Sequence, residues 1–459
     1  MIENKNKATR LMKVFILILF VLLSSQIRAQ NYIGLDVEND FIQLKESIKK
    51  YNPALYKYNP LFDDKSDSLQ NSIPTDSLSA FEAFSFFSKL CALSSEGHFS
   101  LGNWEDNVHS GFIENTFKYL PISVKIIDSS LLIWIDFSSE QAFNVGDEIL
   151  SINGMSSSDI LNTLYKSIPA DGDIRTYIDR KIELGFSWLF YLYVFRSENF
   201  SIETINREGK TKVTKIQALY RDKQIENFSK YYPEKSTKTE ELSPFHTLDF
   251  NGNFAVLALP TFSYNKIKEL NLKSKRFYKD IFKEIDQREI EHLIVDLRGN
   301  TGGRNEFADD MVSFIRKPKI EIPFLKRTQS WEGRTRTYKV PRRSRFAFSG
   351  KIYVLVDGLT YSAANTLARY LFELANAEII GEETGTRFEG FAAGSKQAVV
   401  LNNSKIRIGI PRYHIYFPES SKQKTVNRGL LPKHVVKYSI SDYELGNDLH
   451  MKMALSLIK

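Results

Sequence analysis

The chain has 459 residues, 42% of them hydrophobic, 13% aromatic and 25% charged, a folded composition too long for one ordinary core and free of low-complexity tracts. Its formal charge is +7, but residues 1–30 hold five basic residues and one acidic residue, so the rest carries only +3. That mild excess argues against a nucleic-acid partner, and a single cysteine, Cys91, excludes an internal disulfide.

Lys5, Lys7, Arg10 and Lys13 precede the apolar run "VFILILFVLLSS", and "QIRAQ" follows it. This is the basic, apolar, small-residue order of a secretory signal. The run is short of the ~20 residues that span a bilayer as a helix, so a removed leader is favoured over an uncleaved anchor. The expected product, residues 31–459, is exported to a periplasm or beyond and has no transmembrane domain.

After the leader, "DFIQLKESIKKYNPALYKY" places Phe41, Leu44 and Ile48 on one helical face before Pro53. A second helix is expected in "SLSAFEAFSFFSKLCALS", with Phe84, Phe87 and Cys91 on its buried side. The intervening "NPLFDDKSDSLQNSIPTDS" reads as polar turn. Residues 31–115 are thus expected to form a helical domain ending in "SSEGHFSLG". The period then changes to short strands in "LPISVKIIDSSLLIWIDF" and "VGDEILSINGMSSSDIL", and "FSIETINREGKTKVTKIQAL" reads as a hairpin. The aromatic run "SWLFYLYVF" (187–195) reads as a buried strand.

From residue 245 strands and helices alternate. "NFAVLALPTF", "EHLIVDLRG", "KIYVLVD" and "AEIIGEE" are strands; "IKELNLKSKRFYKDIFKEI", "EFADDMVSFI" and "SAANTLARYLFELA" are helices. Apolar strands separated by helices imply a mostly parallel sheet covered on both faces. The fold class is therefore α/β within an α+β multidomain chain. One basic cluster interrupts the pattern: Lys326, Arg327, Arg334, Arg336, Lys339, Arg342, Arg343 and Arg345. It reads as a solvated loop able to contact an acidic substrate or surface.

In such sheets the working loops lie beyond the carboxyl ends of the strands. "RGNTGGRNE", "GLTYS" and "EETGTRFEG" occupy those places. Ser362 opens a helix, where unpaired N–H groups and the positive end of the dipole favour an oxyanion. Serine is equally a preferred helix cap, so this stretch alone leaves cap and nucleophile both open. Gly299, Gly302 and Gly303 leave the loop after Asp296 little side-chain cover, letting its N–H groups approach a ligand.

Together "LIVDLRGNTGG", "VLVDGLTYSAANTLARYL", "AEIIGEETG" and the C-terminal "NRGLLPKHVVKYSISDYELGNDLHMKMALSLI" resemble the catalytic core of the S41 serine peptidases over residues 245–459. That family contains the C-terminal processing proteases and the tricorn-like proteases. "VGDEILSINGMS" is similar to its PDZ-type domain (expected at 116–220), and "EGHFSL" to the segment bearing the catalytic His in the tricorn-like branch. The resemblance implies Ser362 as nucleophile, His98 as base, and an oxyanion hole from the N–H of Ala363 with one from Gly302 or Gly303. The processing proteases use a Lys where this chain has Arg387, which cannot accept a proton. Lys396 lies further on without a spacing that recommends it. Val426 stands where the tricorn-like branch places a Glu, leaving Glu383 and Glu419 as substitutes to orient the His, and Pro432-Lys433 replaces a frequent Pro-Asp.

The expected activity is that of an exported serine endopeptidase acting on unfolded proteins or peptides, with no cofactor and no metal. The alternative is a catalytically silent S41-like protein that binds peptides or another ligand. The PDZ-type segment implies capture of a substrate's C-terminus as an added strand, although "FKYLP" lacks the glycines that expose a carboxylate loop.

Overall fold

A computed structural model describes residues 31–102, 114–236 and 244–458, and the expected leader lies outside them. No helix among the described residues is long and apolar enough to cross a membrane. The helix Gly34–Tyr51 buries Val37, Phe41, Leu44 and Ile48, a spacing of three or four that makes one apolar stripe. It packs on the helix Ala80–Leu93, which begins at a capping box: the Glu82 N–H donates to the Ser79 hydroxyl, and the Ser79 N–H to the Glu82 carboxylate. Cys91 is buried on that helix.

Two local readings need correction. The supposed turn between these helices contains a third, Phe62–Gln70. Its side chains are polar apart from the fully buried anchor Phe62 and Leu69, so it has almost no apolar stripe, while Asp63 and Asp64 sit favourably in its first turn. The run 187–195 lies largely in the helix Arg175–Tyr193, not in a strand. Ile178, Ile182, Phe186, Leu189, Phe190 and Tyr193 are all buried, so the sequence there is apolar on nearly every side and the 3.6-residue period is masked. The helix kinks at Gly185 (φ −136°, ψ 26°), where the Trp188 indole occupies the space a β-carbon would need.

That helix lies on an antiparallel sheet containing Ile122–Ile127, Ser130–Asp136, Glu148–Ile152 and the expected hairpin Asn199–Ile205/Thr211–Gln217. The larger sheet has six strands in the order His434–Val435, Glu378–Gly381, Lys351–Val356, His292–Asp296, Phe254–Ala258 and Thr247–Asn251. All neighbours are parallel except the last pair, so the mostly parallel sheet is present as expected. Leu293, Val295, Val354 and Ile379 face the helices Ser274–Gln287, Asn305–Ile315 and Ala363–Ala375. Ile294, Tyr353, Leu355 and Ile380 face the other way, with Ala454 of the helix Leu449–Leu457. The single helix expected over 267–285 is two, Tyr264–Glu269 and Ser274–Gln287, separated at Asn271 with its left-handed φ of 48°.

A long antiparallel hairpin, Gly390–Val400 and Arg407–Tyr416, joins the halves. Phe391, Ala393 and Ile415 belong to the core of the parallel sheet, whereas Val399, Leu401, Ile406, Ile408 and Ile410 are buried with the N-terminal helices. Ser100 pairs with Gly409 on this hairpin through two backbone hydrogen bonds of 2.8 and 3.0 Å. We expect Ile408→Ala to cost about 2–5 kcal/mol by cavity formation, measured by urea unfolding.

Candidate active site

Three strands end side by side at Asp296, Val356 and Gly381, and the loops that follow them are stitched together. The Asp357 carboxylate accepts the N–H groups of Gly299 and Leu359 at 3.0 Å, and the Thr360 hydroxyl donates to Leu297 O at 3.0 Å. The Tyr361 N–H donates to Asn300 O at 3.0 Å, fixing the serine corner against the glycine loop.

Ser362 has φ 54° and ψ −118°, a conformation unfavourable for a side chain other than glycine, and its hydroxyl makes no capping hydrogen bond. Its N–H donates to Thr386 Oγ1 at 2.7 Å, and its carbonyl accepts from Thr366 N–H at 2.9 Å. The backbone is held from both sides while the half-buried Oγ is left without a hydrogen-bond partner among the described residues. Helix capping therefore does not account for this serine.

The glycine loop meets it directly. A β-carbon on Gly302 would lie 2.7 Å from Tyr361 O and 2.8 Å from both Ala363 N and Ser362 Cβ, and its φ is +88°. The Gly302 N–H is already given to Asn300 Oδ1 at 2.8 Å. The N–H groups of Gly303 and Ala363 have no hydrogen-bond acceptor among the described residues, which leaves these two as donors. Gly303 also packs its α-carbon tightly against Phe262 O.

His98 is carried to this place by the Ser100–Gly409 pairing just beyond it. Its ring stacks between Tyr361 (centroids 4.6 Å apart) and Phe391 (5.3 Å), and Tyr177 stacks on the far side of Tyr361 at 4.5 Å. The Tyr361 hydroxyl contacts Nδ1 at 2.9 Å, and Nε2 is buried with no partner among the described residues. No hydrogen bond joins His98 to Ser362; such bonds are often long in an unliganded site. Burial, then the charges of Lys396 and Arg387, hold the His98 pKa down to about 3.

Arg387 is wholly buried. Its guanidinium donates to Glu96 Oε1 at 3.1 Å, Asn427 Oδ1 at 3.1 Å, Gly390 O at 3.3 Å and Ser95 O. Its face lies 3.7 Å from the Tyr58 ring. Asp171 accepts the N–H groups of Gly97 at 2.6 Å and Arg387 at 3.3 Å, and Glu96 Oε2 accepts Ala392 N–H at 2.8 Å. Burial raises the Glu96 and Asp171 pKa values, and Arg387 opposes the rise. Arg387 thus fixes the two residues that precede Gly97-His98.

The expected His-orienting carboxylates are placed elsewhere. Glu383 accepts two bonds from Arg428 (2.8 and 2.6 Å) and one from Gly429 N–H, and Glu419 is exposed. Val426 is exposed, and Lys396 lies near enough to His98 to influence its charge. Tyr361, Phe391, Tyr177, Glu96 and Asp171 were not singled out from the sequence. Glu96 and Tyr361 are sequence neighbours of the candidate pair, but Asp171 carries no local signal.

Residues 253–436 match the family model described as peptidase family S41, so this chain contains an S41 peptidase domain and is a serine-type peptidase. The fold is similar to that of mature CPAF complexed with lactacystin, at 14% identity and a TM-score of 0.63 over 92% of this chain and 99% of that one. A second structure of mature CPAF gives a TM-score of 0.62 at 14% identity, covering 92% of this chain and 96% of that one. The photosystem II D1 C-terminal processing protease is a more distant likeness, 12% identical with a TM-score of 0.43 over 87% and 93%. A search of curated proteins gave no match.

Two outcomes are expected here. Arg387→Ala leaves Glu96 buried without its ion partner and should destabilise the protein by about 3–5 kcal/mol in chemical unfolding, with Arg387→Lys restoring little because one ammonium cannot reach the same acceptors. Gly302→Ala should lower turnover on the order of 10²–10³, the cost of closing an oxyanion donor, in protein whose circular dichroism is native.

Proposed function

We propose that this peptidase is an exported endopeptidase that cleaves unfolded proteins or peptides through an acyl-enzyme on Ser362, with His98 as the base. The observation that carries this reading is the strained, uncapped Ser362 beside two unpaired N–H groups, those of Gly303 and Ala363. Ser362 Oγ attacks the scissile carbonyl carbon while its proton passes to His98. The carbonyl oxygen, now negative, takes the two N–H donors, each worth on the order of 10²–10³ in rate. His98 returns the proton to the leaving amine, and water repeats the sequence on the ester. With Nδ1–H donating to the Tyr361 oxygen, Nε2 is the nitrogen left to receive the Ser362 proton once the two side chains meet.

Export rests on the basic and apolar order of residues 1–30. The preference for unfolded chain rests on the half-buried position of Ser362 between buried Tyr361 and Ala363, which suits an extended backbone better than a folded surface. We assign residues 116–220 a structural role in place of tail capture. The edge strand Ile122–Ile127 already meets the helix Arg175–Tyr193: Ser187 Oγ donates to Leu120 O and Ile122 O, and Ile126 N–H donates to Glu183. An added peptide strand would have to displace those contacts.

Digestion of an unfolded protein by residues 31–459, read by mass spectrometry, tests this directly. Cleavage should fall at least about a thousandfold in Ser362→Ala and His98→Ala. Loss with Ser362→Ala alone would remove His98 from the mechanism, and no cleavage by correctly folded wild-type protein would support a silent binding protein. A base acts only when unprotonated, so activity rises with pH through its pKa. With His98 held at about 3, the acidic limb of kcat/KM should lie well below the ordinary 6.5, and activity at pH 5 should remain near its neutral value.

A further inference from the structure

At the amino edge of the parallel sheet, opposite the nucleophile loop, lies a cavity of about 450 Å³. The strand Lys351–Val356 begins at the cavity and ends at the serine turn, so roughly 17 Å of strand separates the two. Lys317, Lys351, Lys433 and His434 line it, and Glu378 is its one acidic wall residue. Glu378 is already committed to Lys433 and His434, each at 3.0 Å.

The remaining lining cations, Lys317 and Lys351, have no carboxylate partner among the described residues, and Arg343 lies next to Lys317 outside the lining. Lys317 Nζ donates to Ser349 O at 2.8 Å and Gly350 O at 2.9 Å, while Arg343 Nη2 donates to Ser349 Oγ at 2.8 Å. Two positive groups therefore converge on one serine with no anion between them, and the Lys317 pKa is lowered by burial and then by Arg343. Lys351 is exposed at the mouth and forms no ion pair among the described residues. Asn376 also lines the cavity; Lys422 donates to its Oδ1 at 2.8 Å, which leaves its amide N–H groups for a ligand.

Capping of the neighbouring helix does not explain these charges. The C-terminal carbonyls of Ala363–Ala375 at Phe372 and Glu373 are taken by the Lys422 ammonium, not by those of Lys317 or Lys351. Like charges gathered around a concavity with their only carboxylate neutralised favour a multivalent anion. Lysine ammoniums with rotatable donors suit a tetrahedral oxyanion as point charges.

We propose that this cavity binds a phosphate group, at a site separate from the nucleophile. The phosphate is carried either by a free anion or by a lipid headgroup. Isothermal titration of residues 31–459 with inorganic phosphate and pyrophosphate tests the first source. Co-sedimentation with phosphatidic acid vesicles, against phosphatidylcholine vesicles, tests the second. Binding in either arm should weaken at least about tenfold in Lys351→Glu, and in the milder Lys351→Gln and Lys433→Gln to a smaller extent. Response to the free anions alone assigns a soluble ligand, and response to acidic vesicles alone assigns a headgroup. Absence of binding in both arms, or binding that the three variants leave unchanged, overturns the proposal.

Discussion

A guanidinium removed from water must find acceptors for its N–H groups, and Arg387 finds them on separate stretches of the chain. Ser95 and Glu96 come from the N-terminal region, Asn427 from the C-terminal turn and Gly390 from the start of the long hairpin. The ion pair with Glu96 has no exposed surface on either side. Its value is best described as the penalty for breaking it, since either charge alone would be stranded in a dry site. Because Glu96 lies two residues before His98, that penalty also fixes where the imidazole can be. Asp171 extends the same constraint to Gly97 and to the backbone of Arg387 itself.

The parallel sheet was legible because its strands are short, continuous and apolar, and the helix Ser274–Gln287 keeps an open polar face. The serine corner was legible as a junction of turn and helix, but not as strained: only φ 54° and the uncapped hydroxyl separate a nucleophile-like geometry from an ordinary cap. The glycine loop was legible as permissive backbone, yet the choice between Gly302 and Gly303 depended on Asn300, whose side chain takes the Gly302 N–H. Where the sequence misled, polarity or its absence concealed the period. Phe62–Gln70 has almost no apolar stripe, and the end of Arg175–Tyr193 has little else.

The helix Arg175–Tyr193 shows how a segment without a chemical motif can organise a site. Near its start, the Thr176 hydroxyl donates to Glu383 O at 2.8 Å, Tyr177 stacks on Tyr361 and Arg180 pairs with Glu382. Further along, Glu183 and Ser187 satisfy the backbone of the edge strand. One helix therefore supports the serine corner and blunts an exposed sheet edge, two tasks that reinforce its burial. Neither could be read from residues 187–195 alone, because the partners lie far away in sequence.

Arginine at position 387 also decides what kind of base the site can use. A lysine there could lose its proton and serve the serine, whereas a guanidinium stays charged and can only hold other groups in place. Arg387 instead anchors the segment that bears His98, the base of the proposed mechanism. In the proposed reading the proton acceptor sits in the N-terminal region and not in the loop after the serine helix, and the packing of that region becomes part of the chemistry. The hairpin Gly390–Tyr416 supplies the mechanical link, since its residues belong to both cores and its Gly409 pairs with Ser100 next to the imidazole segment.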